Sequence, residues 1–177
     1  METTSSDPRI KWIKENLYNR TKGFTVEIIN DKVVIHGDII IPYTISELPY
    51  KIHEVYGNVT IDNVFEPVRL GKLTTLKNFP TIIHGNFKCY ANEKLTSLEY
   101  GPEIVFGDFI CVACKLKSLK YLPKQIGGNL IVYNNEITDM SDVLNSDIDG
   151  RIDVQFNPCE SSKIYDKLLK ENKISYV

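Results

Sequence analysis

Apolar and polar positions alternate in one short pattern that recurs along most of the chain. A glycine and a short polar residue precede a triplet whose first and third residues are apolar, as in residues 85–89, 107–111 and 128–132. Copies of this pattern begin at six glycines: Gly37, Gly57, Gly85, Gly107, Gly128 and Gly150. Successive glycines are 20, 28, 22, 21 and 22 residues apart. A repeat of this length predicts a solenoid, in which each copy forms one turn of a stack.

Each triplet predicts a short β-strand, because side chains alternate between the two faces of a strand. The first and third residues should point into the stack, so the predicted core contains Phe87, Cys89, Phe109, Cys111, Leu130 and Val132. Three triplets are followed at the same distance by an asparagine, namely Asn92, Asn135 and Asn157. An asparagine there can hydrogen-bond the exposed backbone of a turn and form a ladder through the stack. We expect a β-rich solenoid with a parallel sheet of about six short strands.

The pattern changes before the first clear copy and after the last one. Asp7 and Pro8 are suited to begin a helix. Apolar and polar residues alternate at 24–28, and a second apolar run at 32–35 follows a short turn, which predicts a hairpin. Near the other end, Ser161 or Ser162 can begin a second helix.

These changes divide one structural unit into three parts. Residues 1–36 are expected to form an N-terminal cap of a helix and a hairpin, 37–159 the solenoid, and 160–177 a C-terminal helical cap. Solenoids need such caps because a terminal turn would otherwise expose apolar side chains and an unpaired strand. The longest glycine spacing contains an additional segment at 62–71, which is either a tolerated loop or a functional insertion.

The charge of the chain excludes few functions. The 177 residues carry a net charge of −2, so no global positive field attracts nucleic acid or an anionic membrane. No apolar run approaches the roughly 20 residues that span a bilayer. The segment 1–7 lacks the basic and apolar parts of a signal peptide. We therefore expect a cytoplasmic protein with no membrane partner.

Two of the four cysteines form the motif Cys111-x-x-Cys114, which is found in zinc and redox sites. A zinc site would need a second pair of ligands at suitable spacing, and the three histidines do not supply one. In the repeat pattern Cys89 and Cys111 occupy a core strand position, whereas Cys114 occupies the asparagine position. We interpret these cysteines as small buried core residues and predict neither a metal ion nor a cofactor.

The residues between the buried triplet positions should lie on the outer face of the sheet. Polar residues are expected there, yet three consecutive repeats place apolar and aromatic residues side by side, with a lysine next to them. The predicted partner-binding face consists of Lys88, Tyr90, Ile110, Val112, Ile131 and Tyr133. Contiguous apolar surface usually marks an interaction site, and tyrosine is frequent among residues that dominate binding. A second copy of the chain or a terminal segment could instead cover this face.

The sequence gives little support for catalysis. Residues 71–74 resemble a phosphate-binding loop only superficially, because the preceding glycine and a Ser or Thr directly after Lys72 are absent. Asp147 and Asp149 are expected in a turn, where solvated carboxylates are common. An alternative nucleic-acid site consists of Lys115, Lys117, Lys120, Tyr121 and Lys124. Acidic residues elsewhere balance these lysines. We predict that the protein is not an enzyme and that nucleic acid is not its partner.

The repeat also resembles a known family. Residues 87–92, 109–114 and 130–135 follow the leucine-rich-repeat core, apolar-x-apolar-x-x-Asn/Cys. The whole repeat, of which this core is a part, is similar to the short repeats of leucine-rich-repeat-like proteins from large tailed bacteriophages and some bacteria. This resemblance implies a curved parallel sheet and a protein-binding role. A phage source would imply that the protein binds and inhibits a bacterial host or defence protein in the host cytoplasm, and the competing expectation is a self-associating structural protein.

Overall fold

The chain winds into a β-solenoid of about five turns with few helices. The computed structural model describes residues 6–20, 22–62 and 70–174. Within these ranges the strands are β1 (Thr25–Ile29), β2 (Lys32–His36), β3 (Ile39–Pro42), β4 (Glu54–Tyr56), β5 (Val59–Asp62), β6 (Ile82–Ile83), β7 (Phe87–Tyr90), β8 (Ile104–Val105), β9 (Phe109–Val112), β10 (Gln125–Ile126), β11 (Leu130–Ile131), β12 (Asp147–Ile148) and β13 (Ile152–Asp153). The helices are α1 (Pro8–Asn16) and α2 (Lys163–Lys170), with short 3-10 helices at Ser141–Asn145 and Pro158–Ser161.

Two sheets form the wall of the solenoid. The triplet sheet pairs the predicted strands in parallel, in the order β3-β5-β7-β9-β11-β13. The second sheet has the order β1-β2-β4-β6-β8-β10-β12, and within it only the pair β1–β2 is antiparallel. The predicted parallel-sheet solenoid is confirmed. The expectation of a single strand in each turn was incomplete, because each turn contributes a second strand just before the glycine.

The second sheet has a weak sequence signal because its strands are short. Most of them pair over only two or three residues, which is too few for alternation to be recognised. The signal that remains is a buried apolar residue two positions before each repeat glycine: Ile35, Val55, Ile83, Val105, Ile126 and Ile148. These side chains close the core from the second side.

The core lies between the two sheets and the return segments. All six predicted core residues of the triplets are buried. Phe87 and Phe109 stack with ring centroids 5.0 Å apart, because β7 and β9 pair in register at these positions. Leucines of the return segments, such as Leu95 and Leu98, complete the same cluster. Inward triplet residues and leucines therefore stack with their counterparts in neighbouring turns.

The glycine corner brings neighbouring turns into backbone contact. The Gly107 N–H donates to the Gly85 carbonyl at 3.1 Å, and the Gly128 N–H donates to the Gly107 carbonyl at 3.0 Å. A Cβ atom at Gly107 would lie 2.3 Å from Asn86 Oδ1 and 2.9 Å from Gly85 C. No side chain fits at these separations, so the corner requires glycine because of close approach.

A ladder of side-chain hydrogen bonds runs beside this corner. The residue after each of the first five repeat glycines accepts a bond from the backbone N–H of its counterpart in the next turn. Asn86 Oδ1 accepts from Asp108 N at 2.7 Å, and Asp108 Oδ1 accepts from Asn129 N at 2.7 Å. These bonds explain why a short polar residue follows the glycine in the repeat. The sequence pattern shows this residue but not its role.

The predicted asparagine ladder is present in the turns after the strands. Asn92 Oδ1 accepts from Leu73 N at 3.1 Å, and Asn135 Oδ1 accepts from Leu116 N at 3.2 Å. The Asn135 amide also donates to three carbonyl oxygens. Asn92, Asn135 and Asn157 are all buried, so these bonds compensate for the loss of water.

Helices and a hairpin lie where the two caps were predicted. Asp7 accepts a hydrogen bond from Arg9 N at the start of α1, and Ser162 accepts one from Tyr165 N at the start of α2. Tyr18 pairs with Ile40 at one edge of the triplet sheet, and Ile174 pairs with Ile152 at the opposite edge. The predicted cap residues 1–5 and 175–177 and most of the 62–71 insertion lie outside the described residues.

Candidate functional site

A groove on the outer face of the triplet sheet is the main candidate site. Its volume is about 430 Å³, and its lining consists of Tyr90, Ile110, Val112, Ile131, Tyr133, Asp153, Gln155 and Phe156. All five apolar or aromatic residues of the predicted face contribute to it. Lys88 lies on the same strand as Tyr90 but does not line the groove.

Strand register brings the five predicted residues together. Ile110 pairs with Lys88 on one side and with Ile131 on the other. Val112 pairs with Tyr90. The N–H of the residue after Val112 donates to the Tyr133 carbonyl at 3.3 Å. Residues separated by about one repeat in the sequence are therefore neighbours across the sheet.

The floor of the groove is more buried than the sequence predicts. Ile110 is 8% exposed and Val112 is 5% exposed, although both were expected to be exposed to solvent. Tyr90 and Tyr133 are only partly buried and line the groove beside them. Consequently every residue of β9 is buried, on both faces of the sheet.

Burial also affects the chemistry of Tyr90. Desolvation is the main reason that the pKa of its hydroxyl is raised, with smaller contributions from neighbouring acidic groups. The hydroxyl therefore remains protonated at neutral pH and can donate a hydrogen bond. Together the two tyrosines give the groove apolar rings with polar tips, as is common at binding surfaces.

Three lining residues were absent from the predicted site. Asp153 and Gln155 stand in the same sequence columns as Ile131 and Tyr133, so the repeat register could have identified them. Phe156 follows in a turn with a φ of 57° and is 73% exposed. Asp153 is 1% exposed and accepts a hydrogen bond from Gln155 N at 3.1 Å. The groove thus has a buried carboxylate among its lining residues.

The lining comes from consecutive turns of the solenoid alone. Among residues 6–20, 22–62 and 70–174, neither α1 nor α2 contributes a residue to it. Intramolecular cover by a terminal segment was one of the alternatives for this face. The described part of the chain provides no such cover.

Three buried cysteines meet behind the groove. Cys114 Sγ lies 3.6 Å from Cys111 Sγ and 3.8 Å from Cys89 Sγ. Hydrogen bonds from the thiols of Cys111 and Cys89 lower the pKa of Cys114 despite its burial. All three are buried as predicted. The sequence interpretation did not foresee that the stack adds Cys89 to the Cys111-x-x-Cys114 pair.

A row of stacked rings crosses the outer face of the second sheet. The ring of Tyr56 lies 5.0 Å from that of His36 and 4.1 Å from that of His84, and Phe106 continues the row 5.0 Å beyond His84. Each ring belongs to the residue just before a repeat glycine. Gly127 occupies this position in the next turn, so the row ends there. The two histidines are therefore part of a surface stack.

The alternative basic cluster is partly neutralised. Lys115 forms an ion pair with Glu136 at 3.3 Å, and Lys124 forms one with Glu103 at 2.8 Å. The bond from Lys124 is the main reason that the pKa of Glu103 is lowered. These pairs leave less positive charge for phosphate contacts than the sequence cluster implies.

Comparisons with known proteins identify no relative. No protein-family model, curated protein or solved structure matches the chain. None of the helices in the described residues is long and apolar enough to cross a membrane. Its function must therefore be inferred from the groove and its chemistry.

Proposed function

We propose that the protein is a non-catalytic binding module that recognises another protein through the groove on its triplet sheet. The observation that carries this proposal is an apolar floor, formed by Ile110 and Val112, with two tyrosines and an exposed phenylalanine also lining the groove. Apolar pockets with aromatic residues favour the insertion of a partner's large side chains. A volume of about 430 Å³ can accommodate an apolar side chain and its neighbours.

A partly exposed amide supports recognition by a polypeptide. Gln155 lines the groove, and its side-chain oxygen can accept a hydrogen bond from a backbone N–H or a basic side chain of the partner. Apolar residues would supply affinity, and this acceptor would set orientation.

The finer identity of the partner follows from the resemblance to leucine-rich-repeat-like proteins of tailed phages. If the chain is a protein of that kind, its partner is a bacterial host or defence protein, which it inhibits by occupying a surface in the host cytoplasm. Fold alone does not determine function, so this step depends on identifying the partner.

Self-association is the second candidate, and Phe156 is the observation that favours it. This ring is 73% exposed beside an apolar groove. The groove of a second copy could receive it, which would bury an exposed aromatic side chain in each subunit.

Affinity capture from bacterial lysate would test the proposal. The wild type is compared with the double variant Tyr133→Ser and Phe156→Ser, and captured proteins are identified by mass spectrometry. These positions are preferable to Ile110, because the buried isoleucine is needed for packing. We expect one bacterial protein to be retained by the wild type, and its purified form to bind the double variant at least about tenfold more weakly by calorimetry.

The matched control is Tyr100→Ser, which removes an exposed aromatic residue at a similar positive φ outside the groove. It should bind the partner as the wild type does. Equal binding by the wild type and the double variant would exclude the groove as the binding site. A concentration-dependent mass in light scattering, abolished by the double variant and accompanied by no captured protein, would instead identify self-association.

A further inference from the structure

The cysteine cluster joins three sulfur atoms from two neighbouring turns. Cys89 on β7 and Cys111 on β9 are paired in register, and Cys114 follows in the turn after β9. The three Sγ atoms all lie within 4.8 Å of one another. All three side chains are buried.

Core packing alone does not require this arrangement. The strand position of Cys89 and Cys111 carries Ile41, Ile61, Val132 and Val154 in other turns, and these aliphatic residues are also buried. The turn position of Cys114 carries Asn92 and Asn135 in the adjacent turns, where the amide forms the ladder. The cluster therefore arises where three cysteines take the places of aliphatic residues and an asparagine of other turns and meet at one point in the stack.

The sulfur separations suit a metal ion. A metal–sulfur bond of about 2.3 Å places two sulfurs of a trigonal or tetrahedral shell about 3.8–4.0 Å apart. The distances from Cys114 Sγ to Cys111 Sγ and to Cys89 Sγ, 3.6 Å and 3.8 Å, are close to this value. Small movements of the side chains would place an ion among all three sulfurs.

The surroundings of the cluster favour a low coordination number. The side chain of Asn92 contacts the cluster, but its Oδ1 accepts from Leu73 N and its Nδ2 donates to Cys89 Sγ at 3.4 Å. Within residues 6–20, 22–62 and 70–174, no histidine, aspartate, glutamate or fourth cysteine joins the three-sulfur group. All three cysteines are buried, whereas a catalytic zinc site keeps a position open to water.

We propose that Cys89, Cys111 and Cys114 form a three-sulfur site for a soft, thiophilic metal ion of low coordination number, with monovalent copper as the ion that fits it best. Thiolates select monovalent copper and zinc among the common ions, and structural zinc almost always takes four ligands. Three sulfurs without a fourth donor therefore favour copper.

Electrostatics at the cluster are consistent with this site. The thiols of Cys111 and Cys89 donate towards Cys114 and lower its pKa, whereas the pKa of Cys111 is raised, first by its bond to Cys114. Binding of the ion displaces thiol protons to solvent without any change in oxidation state, so the affinity should rise with pH.

Entry to the site requires only local opening of a turn. Ala113 precedes Cys114 in the chain and is partly exposed. Cys114 thus adjoins a partly exposed residue of the turn after β9, and a fluctuation of that turn would admit the ion.

Titration of the reduced protein with monovalent copper under anaerobic conditions would test the proposal. A chromophoric copper chelator provides the competition, and X-ray absorption counts the sulfur ligands. We expect one copper ion per chain with three sulfur neighbours, and weaker binding of divalent zinc than four-cysteine sites show. The variant Cys114→Asn should lower the copper affinity by at least about 100-fold, because removing a ligand costs more than removing its supporting partner.

Matched variants separate copper binding from folding. Cys114→Asn installs the residue found in the adjacent turns, and Cys111→Val installs a side chain found in the same strand column, so circular dichroism should show both folded. Cys159→Ala removes a buried cysteine that is not part of the three-sulfur group and should bind copper as the wild type does. The proposal is overturned by equal copper affinity of wild type and Cys114→Asn, by fewer than three sulfur ligands, or by an equal loss in Cys159→Ala.

Oxidation gives a further outcome that would overturn the proposal. If the reduced protein takes up no copper but forms a disulfide between Cys111 and Cys114 on exposure to oxidant, the cluster is a thiol pair and not a metal site. Mass spectrometry after alkylation distinguishes the two, because the metal-loaded protein exposes four thiols on denaturation with a chelator, whereas a protein with the Cys111–Cys114 disulfide exposes only two.

Discussion

Gly107 lies at the point where the backbones of two turns approach most closely. Replacement by alanine would place Cβ within 3 Å of Asn86 and Gly85, so one turn must move away from the next. We expect Gly107→Ala to lower the free energy of unfolding by about 1–3 kcal/mol, as overpacking typically does. Urea denaturation monitored by circular dichroism measures this loss.

Lys117→Ala is the control for that measurement, because Lys117 is exposed and a surface change of this kind should stay within about 0.5 kcal/mol. Equal stability of the glycine variant and the wild type would show that the corner relaxes without cost. The contact with Gly85 would then not explain the glycine.

At the scale of residues, the sequence predicts which column of the repeat a residue occupies better than which side chains it contacts. The glycine column could be identified because it recurs in all six copies, and the asparagine column because it recurs at the same place in three of them. The contact between Cys89 and Cys114 could not be identified from the sequence. It depends on how far one turn is displaced along the strand direction relative to the next turn. Side chains separated by 25 residues become neighbours only once that displacement is known.

At the scale of elements, β4 and β6 are linked by an acid-sensitive contact. Glu54 Oε1 lies 2.7 Å from His84 Nε2, and this hydrogen bond is the main cause of a lowered pKa at Glu54. The unfolded chain binds a proton at this carboxyl at higher pH than the folded chain does. The stabilising contribution is therefore present above the ordinary carboxyl pKa and is lost as the pH falls through the lowered value.

We expect the wild type to melt at a higher temperature than Glu54→Gln at neutral pH, and this difference to shrink between about pH 5 and pH 3. Thermal melts of both proteins across this range would show it. Glu27→Gln is a suitable control, because the carboxylate of Glu27 lies 3.7 Å from His36 Nε2 and is more exposed than the carboxylate of Glu54. A difference that does not change with pH would mean that the carboxylate charge does not stabilise the fold.

The strands also show where sequence patterns lose information. A four-residue strand such as β7 alternates clearly between core and face, and its position was predicted. β8 and β10 contain only two residues each, so they carry one inward side chain and no period. Such short strands are stabilised by pairing with the equivalent strands of adjacent turns. The sequence of one repeat does not show this pairing.

At the scale of the whole molecule, β9 occupies the centre of the structure. It is buried on both faces and paired on both edges, with β7 and β11. Opening of its hydrogen bonds requires loss of several turns, whereas the ends of a stack open with fewer neighbours. We expect the amides of residues 109–112 to exchange with deuterium most slowly, and protection to decline towards β1.

Hydrogen exchange followed by mass spectrometry would measure this gradient in peptides from each turn. The hairpin β1–β2 serves as the internal reference, because β1 has a partner on one edge only. Exchange in β9 as fast as in β1 would contradict the expected gradient and indicate that the turns open independently. At this scale the sequence predicted the solenoid and placed five of the groove-lining residues on one face, but the burial of the groove floor emerges from packing between turns.

The glycine column also constrains how the length of such a protein can change. A gain or loss of one or two residues within a turn would move the next glycine away from the carbonyl that accepts its N–H hydrogen bond. It would also break the polar ladder beside the glycines. Removal or duplication of an entire copy, such as the 22 residues from Gly85 to Phe106, keeps every column in register. Genes of this architecture are therefore expected to lengthen and shorten by whole turns, with smaller insertions confined to the return segments.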